Sequence, residues 1–244
     1  MHLEIQYSPA SHARAETWPP GRKHQVVSFA AMTHDLDAGV GRLREELNRL
    51  GLSERTYVIF MSDNGGRPTL PGASTAGLGL NHPFRGGKGT LCEGGIRVPF
   101  IVAGPGVQPG SVSRVPVTGL DLLPTLADFA GYRGTLPPEV DGGSLRQLWL
   151  GGGVGEVRRP RPHLIFHQAI DRRAQTALRQ SDLKLVKHWT SGQVELFDLA
   201  RDLGEERNLA AERPAETAAL LRLAEAYVAE VGAETRQLGK AKDD

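Results

Sequence analysis

The apolar run from Tyr57 to Met61 constrains the fold of this chain more than any other segment. A short, continuous run of large apolar residues that ends at polar and Gly-rich positions is typical of a strand buried on both faces. The preceding stretch from Val26 to Leu50 repeats apolar residues every three or four positions, which predicts an amphipathic helix that stops at Gly51. A helix followed by a doubly buried strand predicts an α/β protein whose sheet is covered by helices.

The segments around this unit support the same architecture. Val98–Val102 predicts a second strand, and Asp121–Phe129 predicts a short helix with proline in its first turn. The first 25 residues are predicted to be irregular, because prolines and a glycine interrupt every period. Residues 62 to 89 form a connection too long for a simple turn, so we expect a functional loop there.

A change of pattern near residue 155 predicts two domains, which span residues 1–155 and 156–244. A triple glycine and a run rich in arginine and proline mark the boundary. The second domain is predicted to contain an antiparallel set of short strands at His163–Gln168, Gln175–Gln180, Leu183–Trp189 and Val194–Asp198. Ala215–Val231 predicts a closing helix, so this domain is expected to be a small α+β subdomain.

Charge and cysteine content exclude several classes of protein. The formal net charge of +1 over 244 residues gives no strong positive field, so we expect no nucleic-acid partner. Cys92 is the only cysteine, which excludes an internal disulfide and a multi-cysteine metal cluster. No apolar run approaches the roughly 20 residues that span a bilayer, and the first residues do not begin a signal peptide. We therefore expect a soluble chain without a membrane partner, and its compartment stays open.

Asp63 and Asn64 are candidate metal ligands because they follow directly on the predicted buried strand. In open α/β sheets this edge faces the ligand crevice. A carboxylate beside a side-chain amide offers two hard oxygens, which suit Ca²⁺ or Mg²⁺, and Gly65 and Gly66 would let the backbone turn tightly around an ion. The alternative is an Asx turn, in which the same side chains bond their own backbone.

Lys88 is a candidate anion ligand within the Gly-rich segment from Arg85 to Pro99. It lies between Gly87 and Gly89, so an ammonium could reach a bound oxyanion while the bare backbone approaches closely. A lysine in such a loop can also be merely solvated. Taken together, Ser62–Gly66 and Arg85–Pro99 resemble the sulfatase family closely.

Further segments resemble the same family between about residue 26 and about residue 210. They are Ala31–Arg42, Asp121–Leu126, Glu195–Leu199 and Glu205–Leu209. The resemblance implies an alkaline-phosphatase-like α/β sandwich core, incomplete in this chain, followed by the small carboxy-terminal α+β subdomain. It also implies that Asp63 and Asn64 help to bind a divalent cation, usually Ca²⁺, and that Lys88 contacts the sulfate and takes part in catalysis.

The nucleophile motif of the family is missing from this sequence. Sulfatases carry Cys/Ser-x-Pro-Ser/Ala-Arg, whose first residue becomes formylglycine, and no serine or cysteine here precedes a proline by two positions. Cys92 is followed by Glu93, Gly94 and Gly95, so it does not substitute and is expected to be a small packed residue. The amino-terminal strand that supplies the other metal ligands is also missing. We therefore expect this chain to be the carboxy-terminal part of a sulfatase and to bind a metal ion only weakly in isolation.

Four histidines are candidate ligands of the sulfate or of a metal ion. His2 lies in a segment that weakly resembles the family's His-x-Pro segment, whose histidine contacts sulfate, although Glu4 replaces the proline and a free terminal histidine is the alternative. His82 could line the pocket or be simply exposed. His163 and His167 share one face of a predicted strand, but no third ligand is visible, so we expect no metal there.

Three functional hypotheses follow from these residues. The first is hydrolysis of sulfate esters on a sulfated small molecule or glycan by the intact form, with this chain inactive alone. The second is hydrolysis of phosphoryl or phosphonate esters, which need similar oxyanion and metal ligands. The third is a non-catalytic binding or partner protein, with a missing amino-terminal half supplying the nucleophile.

Overall fold

The structure is a computed structural model that describes residues 8–18, 27–67, 81–170 and 173–235. Its helices are α1 (Pro9–Glu16), α2 (Val27–Arg49), α3 (Glu93–Ile96), α4 (Leu122–Phe129), α5 (Arg146–Leu150) and α6 (Pro214–Glu230). Its strands are β1 (Val58–Met61), β2 (Phe100–Ala103), β3 (Leu164–Ile170), β4 (Arg173–Gln180), β5 (Leu183–His188) and β6 (Val194–Asp198). Two 3₁₀ turns, Ser53–Arg55 and Gly119–Asp121, precede β1 and α4.

Contacts divide the chain into two compact units, of which the first comprises residues 1–60, 69–77 and 100–109. Helix α2 and both strands of the first unit lie where the sequence predicted them. The expectation of an irregular amino terminus is wrong, because α1 forms there. Pro9 occupies the first turn of α1, where its missing N–H costs nothing, and Ser8 caps that helix. The Asp35 carboxylate on α2 accepts hydrogen bonds from Ser8 N at 2.6 Å and Ser11 Oγ at 2.5 Å.

The strand pair of this first unit is less buried than the sequence indicated. Strands β1 and β2 form a two-stranded sheet within the described residues. The side chains from Val58 to Phe60 are half-buried rather than buried on both faces, and Ile101 is 60% exposed. The apolar stripe of α2 is open too, since Leu36, Leu43 and Leu50 are each more than half exposed.

The second unit comprises residues 61–68, 78–99 and 110–244 and contains a four-stranded antiparallel sheet in the order β3-β4-β5-β6. One face of this sheet packs on α6, with a core of Leu178, Leu185, Leu196, Leu220 and Ala224. The opposite face packs on Leu91 through Ala177, Val186 and Phe197. The antiparallel sheet and closing helix are confirmed, and the boundary near residue 155 stays a prediction.

A buried carboxylate anchors the turn that leads into α4. Asp121 is fully buried, and Arg159 binds it with Nε at 2.8 Å from Oδ1 and Nη2 at 2.7 Å from Oδ2. The Thr118 N–H donates to Asp121 Oδ2 at 2.8 Å, and the Gly143 N–H donates to Oδ1 at 2.9 Å. The charge is therefore compensated on all sides, which is the condition for burying a carboxylate.

Among the described helices, none is both long and apolar enough to cross a bilayer.

Candidate functional site

The loop after β1 presents the two predicted metal ligands at the surface of the second unit. Asp63 is exposed, and its carboxylate makes no hydrogen bond or ion pair to the described residues. The half-buried Asn64 donates from Nδ2 to Gly65 O at 3.0 Å, which leaves its Oδ1 available as an acceptor. The Ser62 hydroxyl donates to Asn64 O at 2.8 Å and closes the turn. Asp63 therefore does not cap its own turn within the described part of the chain.

Backbone hydrogen bonds join this loop to the segment that carries Lys88. The Gly65 N–H donates to Gly95 O at 2.8 Å, and the Lys88 N–H donates to Gly66 O at 2.9 Å. Asn81 reinforces the junction, because its Nδ2 donates to Gly66 O at 2.9 Å and to Gly86 O at 3.0 Å. The structure thus joins the loop that carries Asp63 and Asn64 to the loop that carries Lys88, which lie in two separate segments of the sequence.

Glycine is required at this junction because backbone packs directly on backbone. A Cβ atom at Gly65 would lie less than 3.0 Å from the carbonyl of Gly94. A Cβ atom at Gly95 would collide in the same way with the carbonyls of Gly87 and Thr90. This close approach explains the glycines at Gly65 and Gly95.

Gly94→Ala is expected to lower the free energy of unfolding by about 3 kcal/mol, because its new Cβ would meet backbone that has no side chain to move. That Cβ would lie 2.5 Å from Arg85 O and 2.6 Å from Gly86 O. Gly89→Ala is the control, since Gly89 has φ +84° but nothing within 4 Å of a Cβ, so it should lose only about 1 kcal/mol. Denaturant unfolding of both variants measures the difference, and equal losses would contradict the steric explanation.

Lys88 itself is exposed and lies between a buried Gly87 and the left-handed Gly89. Its ammonium makes no hydrogen bond or ion pair to the described residues. Such a lysine retains three free donors, which suits the binding of an oxyanion. Its loop is nevertheless tied down, since the Thr90 hydroxyl accepts from Gly87 N at 3.2 Å and donates to Gly87 O at 2.8 Å.

A buried ionic triad, which the sequence did not reveal, fixes the end of this segment on the sheet. Lys184 on β5 is fully buried, and its Nζ lies 2.8 Å from Glu93 Oε1 and 2.8 Å from Glu205 Oε1. The contact with Glu93 is a well-formed hydrogen bond, whereas the one with Glu205 is an ion pair without hydrogen-bond geometry. Glu205 Oε2 also accepts from Glu93 N at 2.7 Å. The only sequence signal was a lysine within an apolar strand.

The two carboxylates of the triad have opposite pKa shifts. Burial raises the pKa of Glu93, but the charge and hydrogen bond of Lys184 outweigh it, and Arg179 and Arg97 add to that effect, so the net pKa is lowered. Burial also raises the pKa of Glu205, and Lys184 offsets this only in part, so its pKa stays above the ordinary value. The structural reason is that Glu93 faces three cations, with Arg97 Nη1 at 3.3 Å and Arg179 Nη1 at 3.9 Å.

We expect Glu93→Gln to lower the free energy of unfolding at neutral pH and to lose this effect in acid. A carboxylate with a lowered pKa stabilises the fold above its ordinary value of 4.5 and loses that contribution as the pH falls through its folded pKa. The difference between wild type and variant should therefore shrink below about pH 4.5. Denaturant unfolding over a pH series measures it, and a difference independent of pH would contradict the assignment.

Cys92 and Arg85 complete the surroundings of the triad. Burial, and to a lesser degree the Glu205 charge, raise the pKa of the Cys92 thiol, so it is a poor nucleophile at neutral pH. Arg85 stacks its guanidinium on the Phe197 ring at 5.6 Å from the centroid and pairs with Glu195 at 3.1 Å. Arg85 therefore packs the segment against the sheet, and Cys92 is partly buried, in keeping with the expected small packed residue.

Among the described residues, no candidate histidine hydrogen-bonds to residues 85–90. The prediction for His2 falls outside the described residues. His82 is exposed. His167 contacts Thr176 Oγ1 at 2.8 Å and Glu234 O at 3.0 Å, and burial lowers the pKa of His163. Within the described ranges, no group of three or more His, Cys, Asp or Glu side chains could hold a metal ion.

Two family profiles match this chain. The profile described as Sulfatase matches residues 2–132. The profile described as N-sulphoglucosamine sulphohydrolase, C-terminal, matches residues 87–227. The overlap of the two profiles, residues 87–132, contains Lys88, Gly94 and Gly95. Each of the two profiles spans more than half of the chain.

Curated relatives agree with these profiles. A sulfatase from Formosa agariphila is 35% identical over 215 residues, which cover 80% of this chain and 37% of that protein. Arylsulfatase A from Homo sapiens is 36% identical over 208 residues, covering 74% of this chain and 38% of that protein. Choline-sulfatase from Rhizobium meliloti is 34% identical over 191 residues, covering 78% and 33%. The chain thus spans about a third of the length of these relatives.

Solved structures share the fold. The crystal structure of Ps i-CgsB in complex with k-i-k-neocarrahexaose aligns with a TM-score of 0.71 and 26% identity, over 93% of this chain and 47% of that one. A structure in complex with its substrate D-glucosamine-2-N,6-O-disulfate aligns with a TM-score of 0.67 and 20% identity, over 91% and 45%. These likenesses confirm the predicted alkaline-phosphatase-like α/β fold. From the profiles, the relatives and the fold together, the chain belongs to the sulfatase family.

Proposed function

We propose that this chain supplies the lysine-bearing part of a sulfate ester hydrolase site. The observation that supports the proposal is the junction of the two loops, in which Gly65 N–Gly95 O and Lys88 N–Gly66 O hydrogen bonds join the loop that carries Lys88 to the loop that carries Asp63 and Asn64. The Lys88 ammonium can bind an oxyanion, and the two hard oxygens of Asp63 and Asn64 can bind a metal ion. Joined loops that carry both suit an oxyanion substrate held next to a metal. Family membership supports sulfate as that oxyanion.

In this proposal Lys88 binds a sulfate oxygen. Its ammonium is exposed and has no competing partner among the described residues, so the substrate would not have to displace one. Negative charge increases on the sulfate oxygens and the leaving oxygen as the ester bond breaks. A compact, strongly charged ammonium held by a rigid loop stabilises such charge without reorganising at the moment of reaction.

Asp63 and Asn64 fit part of a divalent cation site. The free carboxylate of Asp63 and the free Oδ1 of Asn64 are hard oxygens of the kind that Ca²⁺ prefers and Mg²⁺ accepts. Calcium takes about six to eight oxygens, so other ligands must complete the sphere. A cation bound there would polarise the sulfate group.

Formylglycine does not fit any described residue of this chain. The only cysteine, Cys92, lies outside the family motif, and burial raises the pKa of its thiol. We therefore assign no nucleophile to this chain and propose that residues outside these 244 supply it. The open apolar stripe of α2, where Leu36, Leu43 and Leu50 are more than half exposed, supports contact with such an amino-terminal sulfatase half.

The proposed substrate is a sulfated small molecule or glycan. Relatives include proteins named choline-sulfatase and arylsulfatase A, and the similar solved structures include complexes with an oligosaccharide and a sulfated glucosamine. The alternative hydrolysis of phosphoryl or phosphonate esters needs the same kinds of ligand, so substrate pairs must decide between them.

The test is turnover by the protein captured from its own cells with an antibody against α6. We expect the captured material to hydrolyse 4-nitrophenyl sulfate in preference to 4-nitrophenyl phosphate, and chelation with EDTA to reduce the rate. Intact mass of the same sample shows whether further residues or a second polypeptide accompany the chain. Preference for the phosphate ester would support the alternative, and failure to hydrolyse either ester would favour a non-catalytic binding protein.

A further inference from the structure

A line of hydrogen-bonded side chains crosses the four-stranded sheet on the face that packs on the Lys88 segment. Gln168 on β3 donates from Nε2 to Gln175 Oε1 on β4 at 3.4 Å. Gln175 Nε2 lies 2.9 Å from His188 Nδ1 on β5, and His188 Nε2 lies 2.8 Å from Glu195 Oε2 on β6. The register explains the line, because Gln175 is directly opposite both Gln168 and His188.

The two ends of this polar line hold the two sides of Lys88. At one end, Gln168 Nε2 also donates to Gly89 O at 3.0 Å. At the other end, Glu195 Oε1 accepts from Arg85 Nη1 at 3.2 Å and Nη2 at 3.1 Å. Only Gly86, Gly87 and Lys88 lie between the two anchored residues. Hydrogen bonds from the sheet thus hold both ends of a short, glycine-rich arc, residues 86–88.

The hydrogen bonds of the polar line run in one direction, from the Gln168 amide to the Glu195 carboxylate. An ionised carboxylate only accepts, so His188 Nε2 carries a proton and donates. His188 Nδ1 faces the amide nitrogen of Gln175, which donates to it, and Gln175 Oε1 accepts from Gln168. The remaining N–H of Gln168 therefore points a donor, and not an acceptor, at the carbonyl of Gly89.

We propose that Gln168, Gln175 and His188 are positioning residues for Lys88, with Glu195 as the terminal acceptor of the line. The inference rests on the proposed function, in which Lys88 binds a sulfate oxygen. Two glycines precede Lys88 and one follows it, so an untethered arc would lose much conformational entropy on binding an anion. Anchors at Arg85 and Gly89 remove part of that loss in advance and hold the Lys88 backbone in one place.

The variants Gln168→Ala, Gln168→Glu and Gln175→Ala test this inference in the full 244-residue chain. Gln168→Glu keeps the size of the side chain but removes its donor, so it separates hydrogen bonding from packing. Gln175 touches no residue of the arc in the hydrogen bonds described, so its removal acts only through its neighbours in the line, Gln168 and His188. Gln193→Ala is the control, because Gln193 is an exposed glutamine in the turn between β5 and β6.

Hydrogen–deuterium exchange of residues 86–91 is the first measurement. Loss of one hydrogen bond should speed exchange in this arc about fivefold in both Gln168 variants, and less in Gln175→Ala. The second measurement is binding of inorganic sulfate, followed by NMR of the Lys88 side chain, with Lys88→Ala as the reference without binding. We expect the Gln168 variants to bind sulfate about fivefold more weakly, and Gln193→Ala to match wild type.

The outcomes separate this inference from the proposed function. Wild-type exchange of residues 86–91 in Gln168→Glu would overturn it, whether or not Gln168→Ala still folds, because packing alone would then explain the glutamine. Equal sulfate affinity in wild type and both Gln168 variants would overturn it as well. If these variants exchange faster but the wild-type chain binds no sulfate, the anchoring of the arc is retained and the sulfate-binding role of Lys88 is rejected.

Discussion

Lys88→Ala is expected to reduce the turnover of sulfate esters by about 10²–10³-fold in any form of the protein that hydrolyses them. The Lys88 ammonium is a charged donor held between Gly87 and Gly89, and no described residue neutralises it. Because charge on the sulfate oxygens grows towards the transition state, its loss should lower kcat more than it raises KM.

The controls for this variant follow from the structure. Lys88→Arg keeps the charge but replaces a compact ammonium by a wide planar fork, so we expect only partial recovery. Lys187→Ala removes a lysine that donates to Gly192 O at 3.1 Å in the turn after β5, and it should leave turnover unchanged. Unaltered kinetics in Lys88→Ala would eliminate its assigned role, and a loss confined to KM would make Lys88 a binding group only.

The elements that the sequence predicted are those with a short-range signal. Strand β6 and helix α6 lie within one residue of their predicted positions, because alternation and the spacing of three and four positions are local properties. The Gly-rich loops were recognised for a similar reason, since glycine marks positions where backbone must approach backbone. The prediction fails at helix α1, because Pro9 interrupts the apolar period but also begins a helix.

Long-range pairing could not be predicted in the same way. Nothing in the sequence around Glu93 indicates that it pairs with a lysine 91 residues later. Nor does the pattern of β3 to β6 show that Gln168, Gln175 and His188 lie in one line, since that depends on strand register. The predicted burial of β1 on both faces was wrong because periodicity reports what a strand can bury and not what covers it.

The same distinction applies to the site. The positions of Asp63, Asn64 and Lys88 in loops were predictable, and so was the type of chemistry that their side chains could support. That backbone hydrogen bonds join the two loops became visible only in the structure. The metal site stays a proposal, because these residues provide two oxygen ligands of the larger set that Ca²⁺ requires.

Lys184→Met is expected to lower the free energy of unfolding by about 3–5 kcal/mol. This is the cost of removing one partner of a buried ion pair and leaving the other partner charged and buried. Methionine matches lysine in length and fills the space, so lost packing contributes little. Glu93 and Glu205 are each 2% exposed and would remain as carboxylates without their shared cation. Arg97 and Arg179 reach only Glu93, so Glu205 would be left with the larger deficit.

Two comparisons distinguish charge from volume as the cause. Lys187→Met makes the same change three residues along the same strand, on a lysine that is not fully buried, and it should shift stability by no more than about 0.5 kcal/mol. The triple variant Glu93→Gln, Lys184→Met, Glu205→Gln removes all three charges, and we expect it to recover most of the lost stability. A triple variant as unstable as Lys184→Met would show that packing explains the loss.

Loss of the triad should also reach the site, because Glu93 begins α3 within the segment that carries Lys88. The Glu93 N–H is held by Glu205, and Gly94 N and Gly95 O of the same helix bond Arg85 O and Gly65 N. An unpaired Glu93 would move or become protonated, and either response disturbs the backbone on which the Asp63 loop rests. We therefore expect Lys184→Met to speed hydrogen exchange in residues 86–95 more than in β6, whereas a uniform increase would indicate global destabilisation alone.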